Sequence, residues 1–195
     1  MPIDLAAEII TDGKAVWETR SFQAAVYTAL FTALSGVCTG AWAVWQWRDQ
    51  HRWKQAKLAR KMLDEIFDYR PSNDAWRMVD GDKKYKDTEK VEIEITADDV
   101  KRALKLPLQT AGDENERRRD DYIRWCFDAL FYYLERLEQS VQIKIIRFED
   151  VLSPTSYYIE AMSNDRELYE SYAKFIRFEN AIAFLGRFSE WRDAK

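Results

Sequence analysis

Apolar and polar positions are unevenly spread along this 195-residue chain. Residues 21–47, SFQAAVYTALFTALSGVCTGAWAVWQW, form a run of 27 positions without Asp, Glu, Lys, Arg or His, whereas the next longest uncharged run, 151–159, has nine. A hydrocarbon core about 30 Å thick needs roughly 20 helical residues at about 1.5 Å each, so the run predicts a transmembrane helix with some tilt. Tryptophans punctuate its ends: Trp42, Trp45 and Trp47 on one side and Trp17 before the other, positions that suit the headgroup zone. The segment before the run carries Asp4, Glu8, Asp12 and Glu18, the wrong sign for a cleaved secretory leader.

Inside the run, small residues recur at four-residue intervals: Ala24, Thr28, Thr32, Gly36 and Gly40, beside a second row of Ala25, Ala29 and Ala33. Helices in lipid gain little from apolar burial and associate where small side chains let backbones approach. The ridge therefore predicts a homo-oligomer formed through the span.

Beyond Trp47 the pattern changes to helical spacing in a charged background. Ala56, Ala59, Met62, Leu63, Ile66 and Phe67 keep one apolar side, and neither Gly nor Pro intervenes before Pro71. The spanning helix is expected to continue to about Tyr69. A short helix capped near residues 72–74 should follow, then a polar loop from Gly81. Residues 91–95, VEIEI, alternate like a strand, but without an evident partner they predict an isolated extended connection. Thr96 with Asp98 and Asp99 marks a helix start, and that helix should end before Pro107.

The strongest signal of the second half is Ile123, Phe127, Leu130, Leu134, Leu137 and Val141, which lie on one stripe of a long helix. Trp125, Cys126, Phe131 and Tyr133 widen the apolar surface beyond a coiled-coil seam, so a central core helix of a bundle is expected. Pro154 is expected to separate it from an aromatic helix near Tyr157 and Tyr158. Leu168, Tyr172, Phe175, Ile182, Leu185 and Phe188 outline one last helix. The fold class predicted is all-α: a single N-terminal transmembrane helix followed by a helical bundle. The organisation read from the pattern is a tail at 1–20, the span at 21–47, a basic juxtamembrane helix at 48–70 and a helical domain at 71–195.

Charge orients this arrangement. Residues 1–20 sum to −2, residues 48–61 to +5 and residues 62–195 to −7. By the positive-inside rule the N terminus lies outside and the C-terminal domain is cytoplasmic. Arg48, Arg52, Lys54 and Lys57 are then placed to meet anionic headgroups, at about 1 kcal/mol each where they touch the surface. The acidic domain argues against a nucleic-acid partner despite Arg117, Arg118 and Arg119.

Candidate chemistry adds little. One histidine, His51, and two cysteines, Cys38 and Cys126, cannot form a disulfide framework or a Cys/His zinc site within one chain. Gly81, Gly112 and Gly186 are too far apart to cradle phosphate. Asp121, Asp128 and Glu135 recur every seven residues and could in principle bind a divalent cation, but a solvated face with Arg124 and Arg136 as ion-pair partners is the plainer expectation. Cys126 beside Trp125 reads as a packed thiol. No catalytic residue, no cofactor and no metal is assigned.

The single span, the basic amphipathic helix and the segments LFYYLERLEQSVQIKIIRFEDV and YAKFIRFENAIAFLGRF together resemble a family of bacterial membrane proteins catalogued as domain of unknown function 4760. The resemblance covers roughly residues 22–188, with the charged stretch 82–90 as a departure. It implies a bacterial inner-membrane protein with a helical cytoplasmic domain and brings no catalytic residues. The function expected is that of a membrane-anchored interaction module, a sensor, scaffold or effector subunit with a protein partner in the cytoplasm. The alternatives are a membrane-tethered metal-dependent enzyme using the Asp121, Asp128 and Glu135 face, and a pore-forming effector of a stress or phage-defence system.

Overall fold

A computed structural model describes residues 4–108 and 112–193, with side chains from Gln23 onward. The described residues form seven helices and one small hairpin: α1 (Asp4–Asp68), α2 (Arg70–Asp80), β1 (Lys84–Lys86), β2 (Glu92–Glu94), α3 (Ala97–Leu104), α4 (Glu114–Gln142), α5 (Phe148–Ser163), α6 (Arg166–Phe175) and α7 (Glu179–Asp193). The chain is all-helical in class, and α1 is long and apolar enough to cross a membrane. It divides into two compact units, Met1–Arg52 and Trp53–Lys195.

In the first unit the helix backbone continues through residues 48–52 without a break, as its unbroken run of helix formers predicts. Its described apolar side chains are all exposed, including Phe31, Leu34, Val37 and Trp42.

The second unit is built around α4. Ile123, Phe127, Leu130, Leu134 and Leu137 are buried along it, and Phe131 and Cys126 fill the flanks, as the stripe anticipated. The end of α1 supplies Ala59, Leu63 and Ile66 to the same core. Three ties fix its direction against α4: Gln55 donates to the Lys144 carbonyl at 2.8 Å, Glu65 pairs with Arg136 at 3.7 Å, and the Tyr69 ring sits 5.9 Å from that of Tyr133. As one number rises the other falls, so α4 runs antiparallel to this part of α1. Trp76 of α2 is fully buried against Tyr158 of α5, and Phe148 meets Phe184 of α7 edge-on.

Four local expectations are corrected. Residues 92–94 do have a partner, since Lys84–Lys86 pairs with them antiparallel, Tyr85 opposite Ile93, within the stretch expected to be loop. The turn between them closes on Asp87, which accepts from the amides of Glu89 and Val91 at 2.9 Å each. Second, α2 starts at Arg70 and is not capped by Ser72. The buried Ser72 hydroxyl donates instead to the carbonyls of Ile66, in the last turn of α1, and of Tyr69, between the two helices. Third, Pro154 lies inside α5 and not before it. It is exposed, and the hydrogen bond lost is the one its missing N–H would have made to the preceding turn. Fourth, the last predicted helix is two, α6 and α7, separated at Arg177, where φ is +66°. The start at Thr96 holds: its hydroxyl accepts from the Asp99 amide at 3.2 Å, and the Asp99 carboxylate accepts from the Thr96 amide at 2.9 Å.

Candidate functional site: the apolar helix and its flank

An apolar helix in lipid must satisfy every polar group internally. The Ser and Thr hydroxyls of residues 23–47 are satisfied in this way. Thr28 donates to the Ala24 carbonyl at 2.8 Å, Thr32 to that of Thr28 at 2.8 Å, Ser35 to that of Thr32 at 3.0 Å and Thr39 to that of Ser35 at 2.7 Å. Back-bonding of this kind hides hydroxyls at no cost in partner helices. It also leaves the ridge of Ala24, Thr28, Thr32, Gly36 and Gly40 free of outward-pointing donors. A Cβ added at Gly36 or Gly40 would meet nothing within 4 Å. The closeness to a neighbour that makes these glycines useful is therefore not consumed within this chain.

The aromatic end is equally open. Trp42 and Trp45 lie 5.3 Å apart and are exposed, and Trp47 stacks on His51 at 5.6 Å. His51 thus has an aromatic neighbour, and it is exposed. Trp17 falls where side chains are outside the described residues. Arg48, Arg52, Lys54 and Lys57 are all exposed. A guanidinium or ammonium group in that state can take a phosphate oxygen without first breaking a buried pair.

In the second unit the proposed carboxylate face is corrected. Asp121 is exposed, with Arg124 at 3.5 Å, but its two companions are half-buried. Asp128 accepts from the Tyr172 hydroxyl at 2.8 Å, and burial raises its pKa. Glu135 accepts from the Asn180 amide group at 2.6 Å and the Ala181 backbone at 2.9 Å, which caps α7. Arg136 turns to Glu65. These acids serve as ties from α4 to α6 and α7, and among the described residues no three His, Cys, Asp or Glu converge as a metal site would require.

Sequence reasoning missed the buried charges. Glu138 is wholly buried and takes both ends of the Arg187 guanidinium, at 2.6 and 3.2 Å. Arg102 joins Asp99 and Asp120 at 2.9 Å each, tying α3 to α4. Asp74 accepts from the Tyr122 hydroxyl at 2.6 Å and from Arg77 at 2.9 Å. Asp87 pairs with Arg118, the middle of the arginine triplet that a nucleic-acid reading would have used. The one weak signal was Glu138 itself, which lies four residues after Leu134 on the edge of the apolar stripe.

A cleft of about 250 Å³ between α2 and the hairpin carries Arg70, Arg77, Lys84 and Lys86 against Asp74 and Glu92. Arg77 is already committed to Asp74, to Asp82 at 2.8 Å and to the Lys84 carbonyl at 3.3 Å, so the cleft holds the hairpin to the helix. Burial raises the pKa of the Cys126 thiol, which keeps it protonated and unreactive.

No family model, no curated protein and no solved structure matches the chain.

Proposed function

We propose that this protein is a single-pass membrane-anchored interaction module, with residues 21–47 crossing the bilayer, the N terminus outside and the helical unit in the cytoplasm. The observation that carries the reading is the state of residues 23–47: helical, uncharged, exposed on every side, and with its Ser and Thr hydroxyls bonded internally. In water such a surface would be an aggregation hazard, and in lipid it is solvated. The basic excess after Trp47 supports the orientation. The ridge supports a homo-oligomer through the span, and the second unit, with its own core and acidic surface, is the part offered to a protein partner. The resemblance to the bacterial membrane family supports an inner-membrane location. A sensor, scaffold or effector subunit fits these features. No observation favours the metal-dependent or pore-forming alternative.

The test is extraction of membranes with alkaline carbonate combined with a reporter fused to the C terminus. The protein is expected to stay in the pellet, and the reporter to be active only in its cytoplasmic form. Release into the supernatant removes the span, and a reporter active outside reverses the orientation.

A further inference from the structure

The α4–α5 loop exposes two isoleucines in a fixed conformation. Lys144 adopts φ +59°, its amide bonds the Val141 carbonyl at 3.0 Å, and the Ile145 amide bonds the Ser140 carbonyl at 3.0 Å. In a helix end of this kind the hydrophobic residue after the left-handed position usually folds back on the helix. Here Ile145 stays 45% exposed and Ile143 66% exposed, while Ile146 is buried and anchors the loop from within. Two aliphatic side chains are thus held outward by a hydrogen-bonded cap.

Their surroundings are specific. Gln55 donates to the Lys144 carbonyl, so the loop is tied to the part of α1 that begins the second unit. Trp53, two positions earlier, is 70% exposed. Lys54, Lys57 and Lys144 are exposed as well, and among the described residues none of them has an ion pair. The nearby Arg147 is paired to Glu149 at 3.1 Å, which leaves the local balance positive. An indole, two isoleucines and unpaired lysines make up the mixture that partitions into an anionic headgroup layer.

Chain length supplies the location. Gln55 follows Trp47 by only eight residues of chain, so the part of the second unit that holds the loop is the part the chain enters first. Headgroups extend several Å beyond the hydrocarbon core, and the field of anionic lipids reaches a further 8–10 Å or so at physiological salt. We infer that the loop at 143–145, with Trp53 and Lys54, rests on the anionic headgroup layer of the bilayer and gives the second unit its own contact with lipid. This rests on the reading that residues 21–47 span that bilayer.

The full chain is reconstituted in vesicles of phosphatidylcholine with or without phosphatidylglycerol, in a Cys38→Ala background. Ile143→Cys or Ile145→Cys carries an environment-sensitive fluorophore, and headgroup-spin-labelled lipid is the quencher. Asn115→Cys, at the other end of α4 and about 40 Å away by helix length, is the control. The expected result is blue-shifted emission with lipid quenching at 143 and 145 in vesicles containing phosphatidylglycerol, less of both without it, and neither at 115. Emission at 143 and 145 as unquenched and red as at 115, in protein that resists carbonate, overturns the inference and leaves the span intact. A blue shift without lipid quenching also overturns it, because a protein surface then covers the loop. Release of the chain by carbonate overturns the inference and the spanning helix together.

Discussion

Glu138 is a carboxylate with no exposed surface whose charge is balanced by an arginine that is 42% exposed on its own side chain. The two partners are therefore not equivalent. Removing Arg187 leaves a buried anion with only Gln142, at 3.2 Å, as a side-chain donor, while removing Glu138 leaves a cation that water can reach. Arg187→Met is expected to cost about 2–3 kcal/mol, the half-exposed guanidinium lowering the figure from that of a fully buried pair. Adding Glu138→Met to it should recover part of the loss, and thermal unfolding of the two single variants and the double variant in detergent checks this. Equal losses for both single variants would show that the buried charge is not what matters. Asp87 makes a second residue-level case. Burial acts to raise its pKa, but the Val91 amide, the Arg118 guanidinium and the Glu89 amide outweigh it and hold the carboxyl below the usual Asp range. Because the folded value is depressed, the stabilisation is full above the ordinary Asp value of about 4 and is lost as pH falls through the lower folded value. Asp87→Asn should remove that acid dependence and speed amide exchange across 84–94 at neutral pH. Exchange unchanged from the parent would free Asp87 of its role in the hairpin. Neither acid could be identified from sequence, because Arg187 is 49 positions from Glu138 and Arg118 is 31 from Asp87, and no spacing rule connects them.

Helix ends show where periodicity stops being informative. α2, α4 and α6 all finish with a left-handed residue and a paired set of backbone bonds: Asp82 to Arg77 around Gly81, Ile145 to Ser140 around Lys144, and Phe178 to Ala173 around Arg177. Only the first of these carries glycine, and only that boundary was read from the chain. At Arg177 the apolar spacing continues through Phe175 into Ile182, so α6 and α7 look like one helix until the backbone is seen to turn. The hairpin was hidden for a related reason, since Lys84–Lys86 reads as a charged loop and the alternation around its one buried residue, Tyr85, is only three residues long. By contrast α4, α3 and the continuation of α1 were legible, each through a stripe, a capping pair or an absence of breakers that acts locally. Left-handed φ costs a non-glycine residue roughly 1–2 kcal/mol, and glycine gives back part of that gain through its freedom when unfolded. Arg177→Gly is therefore expected to stabilise the protein by about 0.5 kcal/mol, with Arg177→Val strongly destabilising. Unfolding midpoints of the two variants decide the matter, and a fall for Arg177→Gly would mean that its side chain matters more than its backbone.

At the scale of the whole molecule, each compact unit poses its own surface problem. The second unit buries its apolar stripes in a core of its own, whereas no described side chain between residues 23 and 54 is buried. On the proposed reading lipid or another copy of the span provides the contacts of that helix, and the ridge discriminates between them. Gly36 and Gly40 present bare backbone with open space where a Cβ would be, while Leu34 points roughly opposite Gly36, at about 100° per residue. If two spans pack across the ridge, Thr32→Cys in a Cys38→Ala background should form disulfide-linked dimers under mild oxidation in membranes. The native Cys38, two positions from Gly36 and on the far side, should not. Gly36→Ile would hold the backbones apart and abolish the Thr32→Cys dimer, and Leu34→Ile would leave it unchanged, because that side faces lipid. Loss of the dimer in both variants would point to a general disturbance of the helix. Its persistence in Gly36→Ile would mean that the small residues merely reflect the composition of a membrane helix, and that any assembly of this protein is made by the second, acidic unit.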